Sequence, residues 1–241
     1  MHSGFKYILI WLTLFSMAMA FLESAVVVYL REIYYPQGFS FPLAVLPLKI
    51  ALTEILRELA TLIMLLAAGY LAGRQKDRWF AWFIYSFAVW DIFYYLYLKI
   101  LLNWPDSWFT WDVLFLIPVI WTGPVIAPIL VSLTMILLSG IILYFSDRQG
   151  RMVNSCAGST FLIAGSVLIF LSFVWDFSTF LSIHYSPGAF LHPEISSQIL
   201  RQYIPHFFNW WLFWAGEATI MTGIVLFIIK NQKIKNHAAQ S

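Results

Sequence analysis

Long apolar runs, broken only by short polar clusters, cover this chain from end to end. They lie near Phe5 to Ile33, Ala44 to Gly73, Trp79 to Leu102, Val119 to Phe145, Cys156 to Ile183 and Phe208 to Ile229. Crossing a hydrocarbon layer of ~30 Å takes about 20 helical residues, and each run reaches that length. The runs are continuous and do not alternate, so the pattern predicts helices that satisfy their own backbone groups, not a barrel. The predicted architecture is all-α: one integral membrane bundle of six transmembrane helices, forming a single polytopic domain over residues 1–241.

The connections add two features. Asn103-Trp-Pro-Asp-Ser-Trp-Phe-Thr-Trp-Asp112 sets indole rings beside acids, as an aromatic belt at the headgroup boundary does. Pro118, Gly123, Pro124 and Pro128 follow at once and break any continuous helix there, which makes Asp112 to Thr122 a candidate re-entrant segment lining a vestibule. Further on, Ile195, Ile199, Leu200 and Tyr203 recur at helical spacing opposite polar residues, so Pro193 to Tyr203 reads as a short amphipathic helix on the outer surface.

Composition agrees with the pattern: 61% of residues are hydrophobic and 11% charged, with a mean hydropathy of +0.78. A net charge of +2 gives no reason to expect a nucleic-acid partner. The single cysteine, Cys156, excludes an internal disulfide. With both termini inside, Lys6, Arg74, Lys76, Arg78, Arg148, Arg151, Lys230, Lys233 and Lys235 face the cytoplasm. Arg31, Lys49, Arg57, Lys99 and Arg201 fall in the outer half, a bias that favours N-in, C-in insertion in a bacterial cytoplasmic (inner) membrane. Lys6 and Ala18-Met19-Ala20 imitate a secretory signal, yet the apolar run continues through Leu30, as a retained span requires.

Against this background six acids stand out. With ~1.5 Å of rise per residue, Glu23, Glu54, Glu58, Asp91, Asp176 and Glu217 all fall ~12 to 21 Å beneath the outer boundary, in one layer contributed by five helices. Carboxylates at such depth are costly and face a partner, a cavity or the bundle interior. Arg57 is the only cation placed clearly in that layer, so the acids exceed the positive charge. Three outcomes would balance them: protonation, entry of water, or a bound cation. A divalent metal would draw on Glu54, Glu58, Asp91, Asp176 and His184. Haem is not expected, because His184, His192 and His206 lie on the outer rim and not within the bundle.

Structural roles compete with each of these. Glu54, Arg57 and Glu58 could form an ion-pair knot, Asp91 and Asp176 could bond to neighbouring Tyr or Trp, and Glu23 and Glu217 sit among small residues suited to close helix packing. Val-Trp-Asp occurs at Val89 and again at Val174, too short a match to establish a duplication. No phosphate loop, nucleophile elbow, zinc motif or Cys-x-x-Cys pair is present.

The run Trp90-Asp-Ile-Phe-Tyr-Tyr95, Asn103-Trp-Pro105, Thr110-Trp-Asp-Val-Leu-Phe-Leu-Ile-Pro118 and Gly123-Pro124 resembles a pattern in uncharacterised multi-pass bacterial membrane proteins. The resemblance has no assigned chemistry and implies no functional residue. The residues themselves point to a buried acidic proton- or cation-binding site built from Glu23, Glu54, Arg57, Glu58, Asp91, Asp176 and Glu217, in a transporter or proton-coupled module. A metal-dependent intramembrane enzyme acting near the outer leaflet and a structural subunit of a larger complex are the alternatives. Six helices are few for a transporter, so that reading implies a homodimer or membrane-complex partners in addition to the lipid bilayer.

Overall fold

The computed structural model describes residues 3–73, 78–149, 156–185 and 193–238. Arg74, Lys76, Arg151 and His192 lie outside the described residues. The element order is α1 (Ser3–Tyr34), α2 (Leu48–Gly73), α3 (Trp79–Leu102), β1 (Trp111–Phe115), β2 (Trp121–Pro124), α4 (Ile126–Gln149), α5 (Cys156–His184), α6 (Pro193–Gln202) and α7 (Trp210–Ala238).

Among the described residues, five helical segments are long and apolar enough to cross a membrane: Gly4–Tyr34, Trp79–Leu102, Ile126–Asp147, Cys156–His184 and Trp210–Gln232. The chain is a multi-pass membrane protein by this measure, and lipid accounts for the large side chains that α1 leaves uncovered, including Tyr7, Ile10, Trp11 and Leu22. The remaining long helix, α2, has 26 residues, but Lys49, Glu54, Arg57 and Glu58 load its first half with charge.

Side-chain pairs give the helix directions. Thr13 meets Tyr85, Ser16 meets Ser86 and Ser24 meets the Tyr94 carbonyl, so α1 runs parallel to α3. Gly69 lies against Phe83 and Gly73 against Trp79, which makes α2 antiparallel to α3. Arg78 reaches Ser146 and Asp91 reaches Ser132, so α4 also opposes α3. α5 and α7 run antiparallel and pack at close range, because Gly165 faces Gly216 and Gly158 faces Gly223. Both α1 and α2 rest on α3 while touching each other at few points.

The predicted fourth helix needs correction. Instead of starting at Val119, α4 starts at Ile126, and the residues before it form an antiparallel hairpin of β1 and β2 with a bulge between Val113 and Phe115. The segment Asp112 to Thr122 takes the form of this hairpin and lines a cavity, and among the described residues the architecture is all-α apart from these two short strands. Prolines and Gly123 prevent a helix here, and the strands pair each other's backbone groups where water is scarce. Gly123 fits because a Cβ would lie 3.0 Å from the Phe208 ring and 3.1 Å from the Phe173 ring. Three further backbone donors find partners nearby: Val125 N–H bonds to the Thr110 carbonyl (3.0 Å), Ile126 N–H to the Trp108 carbonyl (2.9 Å) and Leu116 N–H to Glu58 (3.0 Å).

α6 buries Ile199 and Tyr203, just after its end, against Ile120 and Phe177. It therefore packs onto the hairpin end of the bundle. At the opposite end, Arg78 ties α3 to α4 through the Ser146 hydroxyl and carbonyl, both at 2.6 Å, with Asp147 at 3.6 Å.

A Cβ at position 216 would fall 2.6 Å from Ile169 Cγ1 and 2.9 Å from the Gly165 carbonyl, whereas at Gly140 it would meet nothing within 4 Å. Gly216→Ala is therefore expected to destabilise the protein by about 1 to 3 kcal/mol, while Gly140→Ala is neutral or stabilising by about 0.5 kcal/mol. Thermal melting of the two variants in one detergent checks this contrast.

A carboxylate-rich cavity beneath the hairpin

A cavity of about 360 Å³ lies between α1, α2, α3 and the hairpin. Its lining includes Glu23, Glu54, Arg57, Glu58 and Asp91, all expected in the acidic layer, together with Arg31 and Asp112. Five carboxylates thus share this space with two arginines.

The arginines are already committed. Arg57 holds Glu54, one turn away on α2, at 2.8 and 2.9 Å, and crosses to Glu23 on α1. The Thr61 hydroxyl also donates to Glu23. Arg31 Nη2 meets Asp112 Oδ1 at 3.2 Å, and the Tyr95 hydroxyl donates to the other oxygen at 3.2 Å. The Arg31 guanidinium packs into the corner of two perpendicular rings, 3.8 Å from the Trp104 centroid and 4.4 Å from that of Phe39. In the hairpin, burial pushes the Asp112 carboxyl up to about 6, against the pull of Arg31.

Glu58 and Asp91 are different. Glu58 accepts the Leu116 N–H, and Asp91 accepts the Ser132 hydroxyl at 2.8 Å. Among the described residues neither has an ion-pair partner. Arg57 is shared between Glu23 and Glu54 and also attracts Glu58, so the cavity acids exceed its arginines by three, and Glu58 and Asp91 are the two that form no direct ion pair among the described residues.

Two other acids of the layer lie elsewhere. Asp176 on α5 accepts the Tyr203 hydroxyl (2.8 Å) and the Phe207 N–H (3.1 Å), and Tyr203 also meets the Thr122 hydroxyl at 2.8 Å. This bond network ties α5, the hairpin and the connection into α7 together. Burial raises the Tyr203 phenol. Glu217 on α7 accepts the Thr134 hydroxyl at 2.8 Å, while its other oxygen is buried without a partner among the described residues. His184 is exposed, with its ring nitrogen 3.0 Å from the Phe180 carbonyl. The five side chains considered as metal ligands are thus not assembled, and among the described residues no group of three or more His, Cys, Asp or Glu is spaced to hold a metal ion.

Two residues of the cavity were not among the expected site residues. Arg31 follows Glu23 and Val27 at spacings of four, which puts all three on one face of α1, a signal that was readable. Asp112 depends on the hairpin turning its strand inward, which helical periodicity does not report. Lys99 stays at the rim, donating to the carbonyls of Asn103 (3.2 Å) and Pro105 (3.0 Å).

No family model, no curated protein and no solved structure matches this chain.

Replacing Arg57 with methionine would leave Glu23 and Glu54 without their counter-charge. The expected loss is about 3 kcal/mol of stability, read from thermal melting in detergent. Adding Glu23→Gln and Glu54→Gln to the same chain should recover most of it.

Proposed function

We propose that this chain is a six-span inner-membrane protein that binds a proton or cation at Glu58 and Asp91, as part of a transporter or proton-coupled module. The observation that carries this reading is the uneven charge balance: Glu23 and Glu54 share Arg57, Asp112 pairs with Arg31, and Glu58 and Asp91 have only neutral donors as direct partners among the described residues, with Arg57 acting on Glu58 from beyond ion-pair distance. A carboxylate so enclosed is costly unless protonated or matched by a cation, so occupancy and local structure are coupled. The Glu58 bond to the hairpin backbone supplies the coupling element, because a cation at that carboxylate competes with the Leu116 N–H. The state in which the hairpin is held then differs in energy from the state in which it is free.

Six crossings, with both termini on one side, are supported by the alternation of directions through α1, α2, α3 and α4, and by the parallel run of α4 and α7, where Thr134 meets Glu217 and Phe145 meets Phe227; the Lys and Arg bias of the loops favours the inside. At ~1.5 Å per residue, the 26 residues of α2 reach ~39 Å, long enough to cross. Its polar residues Glu54, Glu58 and Thr61 line the cavity, while Leu52, Leu56, Leu59 and Ile63 are exposed and suit lipid.

Two experiments address this reading. In proteoliposomes, proton or cation flux should fall about tenfold or more in Asp91→Asn and in Glu58→Gln, since removing a site charge costs well over 1.4 kcal/mol. Unchanged flux in both variants removes the two carboxylates from the mechanism. The exposed Cys156, at the start of α5, reports the number of crossings. With the N-terminus inside, six spans put it on the cytoplasmic side, so an impermeant maleimide should label inverted vesicles and spare intact cells. If α2 does not cross, the labelling reverses.

A further inference from the structure

The cavity also holds donors that nothing among the described residues answers. Trp90 Nε1 and Arg31 Nη1 are both buried without an acceptor among the described residues, and both residues are more than nine-tenths buried and line the cavity. Buried donors are ordinarily bonded, so these two mark a place for an acceptor that is not part of the chain. One of them is cationic, which favours an anionic oxygen.

The unmatched carboxylates ask for the opposite charge. A bare metal ion suits them poorly, because hard cations take six or more oxygens and no three ligand side chains converge among the described residues. The space is also too large: about 360 Å³ compared with ~30 Å³ for one water. Phe87, Trp90, Tyr94, Phe115 and Trp121 supply aromatic faces in the lining, the surroundings in which organic ammonium groups are stabilised. Positive and negative needs lie close together. Tyr95, which bonds the Asp112 partner of Arg31, is one helical turn from Asp91, or ~6 Å along α3.

We propose that the cavity binds a short organic zwitterion, with its ammonium group at Asp91 and Glu58 and its phosphate or carboxylate at Arg31 Nη1 and Trp90 Nε1. This rests on the cation-site reading above and narrows the cation to an ammonium compound. The same chemistry occurs in a free metabolite-sized zwitterion and in an ethanolamine lipid headgroup.

Binding to the purified full chain, in a detergent free of ethanolamine lipid, decides the matter. The probes are free phosphoethanolamine, dihexanoyl phosphatidylethanolamine and, as a cation without an acceptor, butylammonium. At least one zwitterion should bind about tenfold or more tightly than butylammonium. Tighter binding of the lipid names the headgroup as the source, and tighter binding of phosphoethanolamine names the free compound. Trp90→Phe keeps an aromatic ring and removes the N–H, so it should erase most of the zwitterion advantage over butylammonium measured on the same variant. The probe comparison on the unaltered chain needs no variant to fold. Equal affinity for all three probes overturns the zwitterion, as does an advantage untouched by Trp90→Phe in a folded variant. If butylammonium binds and Asp91→Asn abolishes that binding, the cation site survives such a failure; if no probe binds, the zwitterion is overturned, and the flux experiment decides whether the proton site stands.

Discussion

The ion pairs of Arg57 and Arg31 are the contacts on which the upper half of this bundle depends. Without them α1 and α2, which rest separately on α3, would face each other across uncompensated carboxylates in a region with little water. Arg57 turns that repulsion into a bridge between the two helices at Glu23 and Glu54. Arg31 fixes the hairpin through Asp112, and its guanidinium packs against the perpendicular rings of Phe39 and Trp104. Since the desolvation of buried pairs offsets much of their attraction, their value lies in position as much as in stability. They determine which acids are answered and leave Glu58 and Asp91 as the two cavity acids without an ion pair among the described residues.

Much of the helical framework could be read from the chain because apolar runs of spanning length have few alternatives in lipid. The ends of α3 and α5 were legible to within one residue. The start of α4 was not, since strand pairing inside an apolar stretch is decided by partners far away in sequence, such as Glu58 for Leu116 and Tyr203 for Thr122. Prolines signalled the break but not what replaced the helix.

The site was legible in depth and illegible in rotation. Counting residues from the helix ends puts six acids in one layer, but which of them share a cavity depends on the face each helix turns inward and on its neighbours. α5 and α7 pair through their glycines, so Asp176 and Glu217 bond to Tyr203 and Thr134 instead of lining the cavity beside α1. Asp112 was missed because its strand obeys a different period from the helices around it.

The bond between Tyr203 and Thr122 has a consequence for biogenesis. Protein synthesis is vectorial, and the ribosome makes the hairpin roughly eighty residues before the tyrosine that secures it. Until the chain beyond α6 emerges, β2 lacks that tether, so the roof of the chamber is completed late. Nascent chains stopped short of position 203 would carry an acidic chamber whose cover lacks this tyrosine tether.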